Sequence, residues 1–300
     1  MAWSGSITAN SAVGAKTTFT PGIDTVGGYT VSSFTAPRKG IYRLILRGSG
    51  GQVYHTGTAG PGGEGGKTTG YLLLTQGEKV YVGAGGPCSA AFAAAATGES
   101  LSAIAKSSLY FVAGGGGGGG AAWGGAGNSY GSAGGRGGGA SGTDGETYGV
   151  TGGSGGTQSE GGSGHYSGAY GVGGAGEYGN ISNTSHWKGR GGDGYYGGGS
   201  GYGSTPIGTG GGGGSGYVKT ASLSANGVTY RSATAQGGGA ASNAPGSVEV
   251  TYYAATELPV SFNGTKLTKL IFNGTEVKSL IYDGTRLFAQ GLRRWKRCLT

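Results

Sequence analysis

Forty-eight of the 110 residues between Phe111 and Thr220 are glycine, and most of the others are Tyr, Ser, Thr, Ala and Asn. A stretch of that kind has too few side chains to build an ordinary core, and glycine loses more backbone freedom on ordering than any other residue. Two outcomes are open to it. It stays disordered, or its backbones pack directly on one another and satisfy their N–H and C=O groups sideways. The 300-residue chain is 35% hydrophobic and only 11% charged, which is too few charges for a solvated, charge-extended coil. Packing is therefore the expectation.

The flanks of the tract read as β-structure. Ile7 to Tyr29 alternates loosely, Pro37 and Gly40 mark a turn, and Ile41, Leu44 and Leu46 stand among β-formers. Tyr71–Leu74 and Lys79–Val82 form a second strand pair around Gln76-Gly77-Glu78, which reads as a tight hairpin turn. Ala90–Ala96 suits one or two helical turns, and Leu109–Val112 reads as a buried strand entering the tract. Strand composition returns at Tyr217-Val218, at 227–230, and over Ala244–Ala254, where Val248, Val250 and Tyr252 alternate. The tract is thus an insertion whose ends a folded scaffold already holds, and closure cost rises only slowly with loop length.

Several function classes are disfavoured. The sequence has no apolar run long enough for a membrane helix, and MAWSGSITAN is unlike a secretory signal. Cys88 and Cys298 are far apart and read as free thiols, so neither a disulfide framework nor a metal site is expected. His55, His165 and His186 lie in glycine- or serine-rich surroundings without the spacing of a triad or metal site. Asp144, Glu146, Glu160, Glu177 and Asp193 are scattered, and GxGxxG matches arise from composition alone. The chain is expected to carry no catalytic residues and no cofactor. A disordered RNA-binding segment is the rival reading of the tract, but it would have only Arg136 and Arg190 as cations. Of the net charge of +8, a net +5 falls in residues 257–300 and ends in GLRRWKRCLT, which reads as a solvated tail or an assembly contact.

FTAPRKGIYRLILRGSGG, a GG-rich turn, YLLLTQGEKVYVGAGG, a glycine-dense middle and a closing GSVEVTYY together resemble a known family. It is the glycine-rich domain family of bacterial, phage and some animal receptor proteins, including the glycine-rich domain of the anaplastic lymphoma and leukocyte receptor tyrosine kinases. The resemblance implies an all-β fold over 34–254, a β-sandwich or jelly-roll scaffold with an inserted polyglycine II helix bundle at 113–217, as in tip adhesins of T-even-like phage tail fibres. A polyglycine II chain is threefold and makes no internal hydrogen bonds. A chain with six neighbours needs glycine at nearly every position, which suits Gly114–Gly120 and Gly210–Gly214. GGRGGGASG and GGSGGTQSEGGSG suit the rim.

Residues 257–290 repeat with a period of ten: Asn263-Gly264-Thr, Asn273-Gly274-Thr and Asp283-Gly284-Thr stand in register. Asn-Gly and Asp-Gly are strong type I′ hairpin signals, so a small β-meander is expected, followed by the basic tail at 291–300. This repeat resembles C-terminal modules of phage and prophage tail and baseplate proteins. The Asn-Gly-Thr triplets also fit a glycosylation pattern, but the hairpin reading explains them better without a signal peptide.

The expected function is accordingly that of a phage virion structural protein: a tail-fibre, tail-tip or baseplate adhesin binding a bacterial surface glycan or outer-surface protein. The aromatics of the tract are the candidate receptor contacts: Trp123, Tyr130, Tyr148, Tyr166, Tyr170, Tyr178, Trp187, Tyr195, Tyr196 and Tyr202. For each of them, packing on the scaffold is an equal alternative. Expected partners are other virion proteins and copies of the same chain, with a trimer suggested by phage appendages, and no specific nucleic acid. Made in the host cytoplasm, the protein would reside in the virion. A head fibre or capsid decoration protein is the main alternative, and a glycine-rich bacterial surface or RNA-associated protein a further one.

Overall fold

The computed structural model describes residues 2–21, 30–52, 59–84, 88–93, 101–123, 131–181, 184–204, 207–219, 231–234 and 244–254, and short strand pairs within 261–276. The fold is all-β, and the helical elements among the described residues are two short 3-10 turns at Leu101–Ala103 and Lys106–Ser108. In chain order the strands are β1 (Ala2–Ser4), β2 (Lys16–Thr20), β3 (Thr30–Thr35), β4 (Gly40–Arg47), β5 (Lys67–Leu74), β6 (Lys79–Ala84), β7 (Ser89–Phe92) and β8 (Leu109–Ala113). Within the glycine tract come β9 (Ala121–Trp123), β10 (Glu177–Ile181), β11 (Thr184–Lys188), β12 (Gly203–Ser204) and β13 (Ile207–Gly208), followed by β14 (Tyr217–Val218), β15 (Arg231–Thr234) and β16 (Ser247–Ala254). No helix among the described residues is long and apolar enough to cross a membrane.

Two antiparallel sheets form a sandwich. One runs β1-β2-β16-β4-β5-β15 and the other β14-β8-β7-β6-β3. The period-two patterning of β4 turns Tyr42, Leu44 and Leu46 inward, and that of β16 does the same for Val248, Val250 and Tyr252. These meet Val80, Val82, Phe34 and Phe111 from the opposite sheet in a single core. Gly70 of β5 has no room for a side chain, because a Cβ there would fall on the Phe111 ring. Its neighbour Thr68 ties the layers together by donating its hydroxyl to the Val112 carbonyl at 2.7 Å.

Two local expectations are corrected. Gln76-Gly77-Glu78 does not close a hairpin, since β5 and β6 belong to different sheets. Gly77, at φ +81°, donates to Ala36 O, and Ala36 N donates to Glu78 O, so the turn is a corner fastened to a third segment. The alanine run is not helical where it is described: Ala90 and Ala91 sit in β7 between β6 and β8, fully buried. Small side chains suit a strand covered on both faces, and this tertiary demand outweighs alanine's helix propensity. In the C-terminal segment, Phe262 pairs with Thr265 and Phe272 with Thr275, the register a two-residue connection requires. Asn263, Gly264, Asn273, Gly274, Asp283, Gly284 and the basic tail lie outside the described residues.

Four strand ends on one side of the sandwich continue into glycine segments: β4 into 48–52, 60–66 into β5, β8 into 114–120, and 209–216 into β14. Residues 48–52 and 60–66 precede the expected 113–217 tract, and their GSG and GPGGEGG motifs read from the sequence as turns. They bond instead as part of the same layer system. In segment 114–120 the donors repeat every third residue. Gly115 and Gly118 donate to Asp193 and Arg190, Gly116 and Gly119 to Ser49 and Gln52, and Gly117 and Gly120 to Gly135 and Ser132, at 2.7 to 3.2 Å. Successive N–H groups thus face three different neighbours in rotation, while carbonyls of Gly114, Gly117 and Gly120 accept from Gly66, Gly63 and Gly60.

Segment 209–216 is enclosed further. It exchanges backbone hydrogen bonds with six segments: 115–118, 135–139, 142–146 through Thr143, 153–156, 189–195 and 196–202. Every residue of 114–120 and 208–216 is buried. A Cβ on Gly117 would fall on the Gly211 carbonyl and one on Gly212 on the Ser154 carbonyl, both well inside 3.0 Å. Close approach, rather than turn geometry, is what demands glycine at these positions.

Gly117→Ala should therefore overpack a rigid backbone contact, costing at least ~3 kcal/mol, the upper end for an overpacked core. That corresponds to a fall in Tm of roughly 6–12 °C for a chain of this size. In a differential scanning experiment, Gly14→Ala should fall less, because no atom lies within 4 Å of its Cβ position and only the strain of its φ of +92°, about 1–2 kcal/mol, remains. Equal losses for the two variants would refute the close-packing account.

Candidate functional site

The glycine segments run alternately away from and back toward the sandwich, so the connections between them gather at two ends. Near the sandwich lie 139–141, 157–160, 169–172 and 195–196; Tyr195 N, for example, donates to Ser215 O beside β14. At the far end lie 121–123, residue 131, 147–151, 165–167, β10–β11 and the β12–β13 pair. The candidate aromatics divide between these ends.

Tyr170, Tyr195 and Tyr196 are at the sandwich end. Tyr170 and Tyr195 pack with Tyr217 on a second core of Cys88, Ala90, Phe92, Leu101, Ile104, Leu109 and Val112, covering the outer face of the five-stranded sheet. Tyr170 Oη donates to Ile104 O at 2.5 Å. Burial first, then the neighbouring Tyr195, raises the Tyr170 hydroxyl to about 12. Lys106 Nζ sits 4.4 Å from the Tyr196 ring centroid, 4.6 Å from Tyr170 and 5.6 Å from Tyr195, and donates to Tyr196 Oη. Tyr195 stacks on Tyr217 at 4.4 Å and 19°. These three rings fasten the glycine layers to the scaffold. Sequence reasoning missed Lys106, whose local context carries no signal for three rings contributed from sixty or more residues downstream.

The far end carries the others. Tyr148 and Tyr166 are among the most exposed large side chains, at 43% and 45%. Tyr148 begins a tight turn, its N–H donating to Val150 O, with Gly149 at φ +65° beside Ile207 of β13. Tyr202 N donates to Thr209 Oγ1, and that hydroxyl donates to Thr151 O, joining this turn to the base of the β12–β13 pair. β10, β11 and β9 form a three-stranded sheet in which Tyr178 pairs with Trp187 and Trp123 with Ser185. Trp187 is half-buried. Tyr130 lies outside the described residues, and so do the side chains of Trp123 and Tyr178.

An ion cluster joins the 165–167 turn to this sheet. Glu177 Oε2 accepts from Lys188 Nζ at 2.7 Å and from His165 Nε2 at 2.9 Å. The Lys188 hydrogen bond holds the Glu177 carboxyl below its ordinary 4.5. His165 and Tyr166 pack edge to face at 4.6 Å. A second acid, Asp193, is buried within the glycine layers. It accepts from Gly173 N at 2.7 Å and from Arg190 at 3.1 Å, and desolvation raises its pKa. Cys88 is a free buried thiol, pushed well up by burial. No group of three or more His, Cys, Asp or Glu among the described residues is placed to hold a metal ion.

Polar residues of the tract have a role the sequence did not disclose. Where a segment lacks a backbone acceptor, a side chain supplies one. Arg136 N donates to Thr143 Oγ1, Ala133 N to Glu146 Oε2, Gly155 N to Asp144 Oδ1, Tyr166 N to Ser200 Oγ and Tyr196 N to Ser215 Oγ. The scattered acids Asp144, Glu146 and Asp193 are thus caps on amides, the lateral counterpart of helix N-caps. No single spacing announces them, because each caps an amide brought near only by the fold. Compared with known proteins, the chain matches no family model and no curated protein.

The folded pKa of Glu177 is depressed, so its contribution is present above the ordinary 4.5 and lost as pH falls through the folded value. Titration followed by NMR should leave the His165–Tyr166 turn unchanged while Glu177 stays ionised, and release it at more acidic pH. Release while Glu177 is still ionised would contradict the assignment. Separately, Asp193→Ala should cost about 1–3 kcal/mol by orphaning the Gly173 amide, readable in chemical denaturation.

Proposed function

We propose that this chain is a non-enzymatic phage virion adhesin of the tail fibre, tail tip or baseplate, in which a polyglycine II bundle is a rigid mast and its far end meets the bacterial surface. The three-residue rotation of hydrogen-bond direction along 114–120 supports the polyglycine II reading, since a threefold chain presents its amides in that sequence. At about 3.1 Å per residue, such a segment reaches roughly 20 Å from the scaffold.

The observation that carries the adhesin reading is the gathering of Tyr148, Tyr166, Trp187 and Tyr202 on connections at the end away from the sandwich, two of them well exposed. Aromatic side chains give large contact area at small entropic cost. On a bonded lattice they also lose little further freedom on binding, which is the benefit of preorganisation. The receptor would be a surface glycan or an outer-surface protein, and the scaffold, with its C-terminal hairpins, would face the rest of the virion as one copy of an oligomer.

Tyr170, Tyr195 and Tyr196 favour a second reading, because aromatics of this tract demonstrably serve packing. A head fibre or decoration protein would use the far-end aromatics in the same manner, against neighbouring subunits. Purified protein incubated with intact bacterial strains and with purified virion shells separates the two. Under the adhesin reading, the combined Tyr148→Ala, Tyr166→Ala and Tyr202→Ala variant loses cell adsorption at least tenfold while its thermal transition persists. A folded triple variant that adsorbs normally would overturn the reading.

A further inference from the structure

We propose that Glu177, His165, Lys188 and Tyr166 form a subsite for a neutral, polyhydroxylated sugar; this rests on the adhesin reading and names the chemistry of its receptor.

The argument begins with an unequal carboxylate. Oε2 of Glu177 is doubly engaged by Lys188 and His165, whereas Oε1 makes no hydrogen bond among the described residues. The Glu177 side chain is 39% exposed, so that free acceptor is open to solvent. Lys188 is 10% exposed and thus cannot turn away to another anion without leaving its charge unpaired. The carboxylate is therefore oriented before any ligand arrives, with one acceptor spent on holding it and one left over.

Beside it stands a ring. His165 joins Glu177 on one side and packs edge to face with Tyr166 on the other, and Tyr166 is 45% exposed with its backbone N–H held by Ser200 Oγ at 2.9 Å. An oriented acceptor next to an exposed aromatic face matches the two surfaces of a pyranose: hydroxyl donors at its edge and a C–H face that stacks on a π-system.

Charge separates neutral sugars from the alternatives. The cluster holds one carboxylate against Lys188, and with His165 in its neutral form, donating from Nε2, it offers no surplus cation to an acidic sugar or phosphate. An ionised ligand would meet the free Glu177 oxygen as a like charge. A protein receptor would be expected to engage the broader far-end surface, including Tyr148 and Tyr202, rather than this corner.

The test uses the full chain on an array of neutral and acidic bacterial oligosaccharides, with saturation-transfer NMR on the best binder and adsorption to a panel of bacterial strains. The expected result is binding to one or more neutral glycans, reduced at least tenfold by Glu177→Gln and by Tyr166→Ala but within twofold for Val13→Ala, an exposed side chain of the scaffold. Tyr166→Ala guards the interpretation should Glu177→Gln disturb the sheet through Lys188. Binding to no neutral glycan, binding only to acidic ones, or wild-type binding by either subsite variant would each overturn the proposal. The adhesin reading fails separately: a wild-type chain that binds sugar but adsorbs to no strain would sink it, whereas cell adsorption carried by Tyr148 and Tyr202 alone would keep it and remove the sugar subsite.

Discussion

Buried backbone amides must be bonded, and in the glycine tract that bonding runs sideways between segments rather than along a helix or across a regular sheet. Segment 209–216 shows the constraint at full strength, with six neighbouring segments and no room for a Cβ at Gly211, Gly212, Gly213 or Gly214. Ordering so much glycine is entropically expensive. The offset comes from two sources: lateral hydrogen bonds to amides that would otherwise be buried without partners, and a sandwich that holds four segment ends together.

From that lattice follows a division of labour among the remaining side chains. Ser, Thr, Asp and Glu cap amides at places where a glycine neighbour is missing, as Thr143, Glu146, Asp144 and Ser200 do. Unpaired amides would otherwise form an adhesive rim, and sheet proteins blunt their edges for the same reason. Tyrosine at the sandwich end is spent on attachment, with Lys106 against three rings. Tyrosine at the opposite end has no such core to cover, and Tyr148 and Tyr166 stay exposed.

Much of the scaffold is legible in the sequence because its signals are local. Alternation in GIYRLILR and SVEVTYYA predicts strands that the structure contains as β4 and β16, and Gly114–Gly120 and Gly210–Gly214 stand out as segments with nothing but backbone to pack. What escaped depends on distant partners. GPGGEGG at 60–66 looks like a turn until Gly114, Gly117 and Gly120 are placed beside it. Ala90 and Ala91 look helical until β6 and β8 enclose them. Tyr166 and Tyr170, four residues apart in one composition, go to opposite ends of the lattice, because 166–169 runs alongside 200–197 toward the sandwich before the chain turns at Ala169–Val172. Spacing alone could not have separated them.

The central claim is that glycine amides of 114–120 and 209–216 are held by lateral bonds in a cooperative lattice. Hydrogen exchange with residue resolution tests it most directly. The account predicts slow exchange at Gly115–Gly120 and Gly211–Gly214, with protection approaching that of Leu44 and Val250 in the sandwich and lost in the same transition. Exchange of those amides at the rate of an unstructured peptide, with the sandwich still protected, would contradict it.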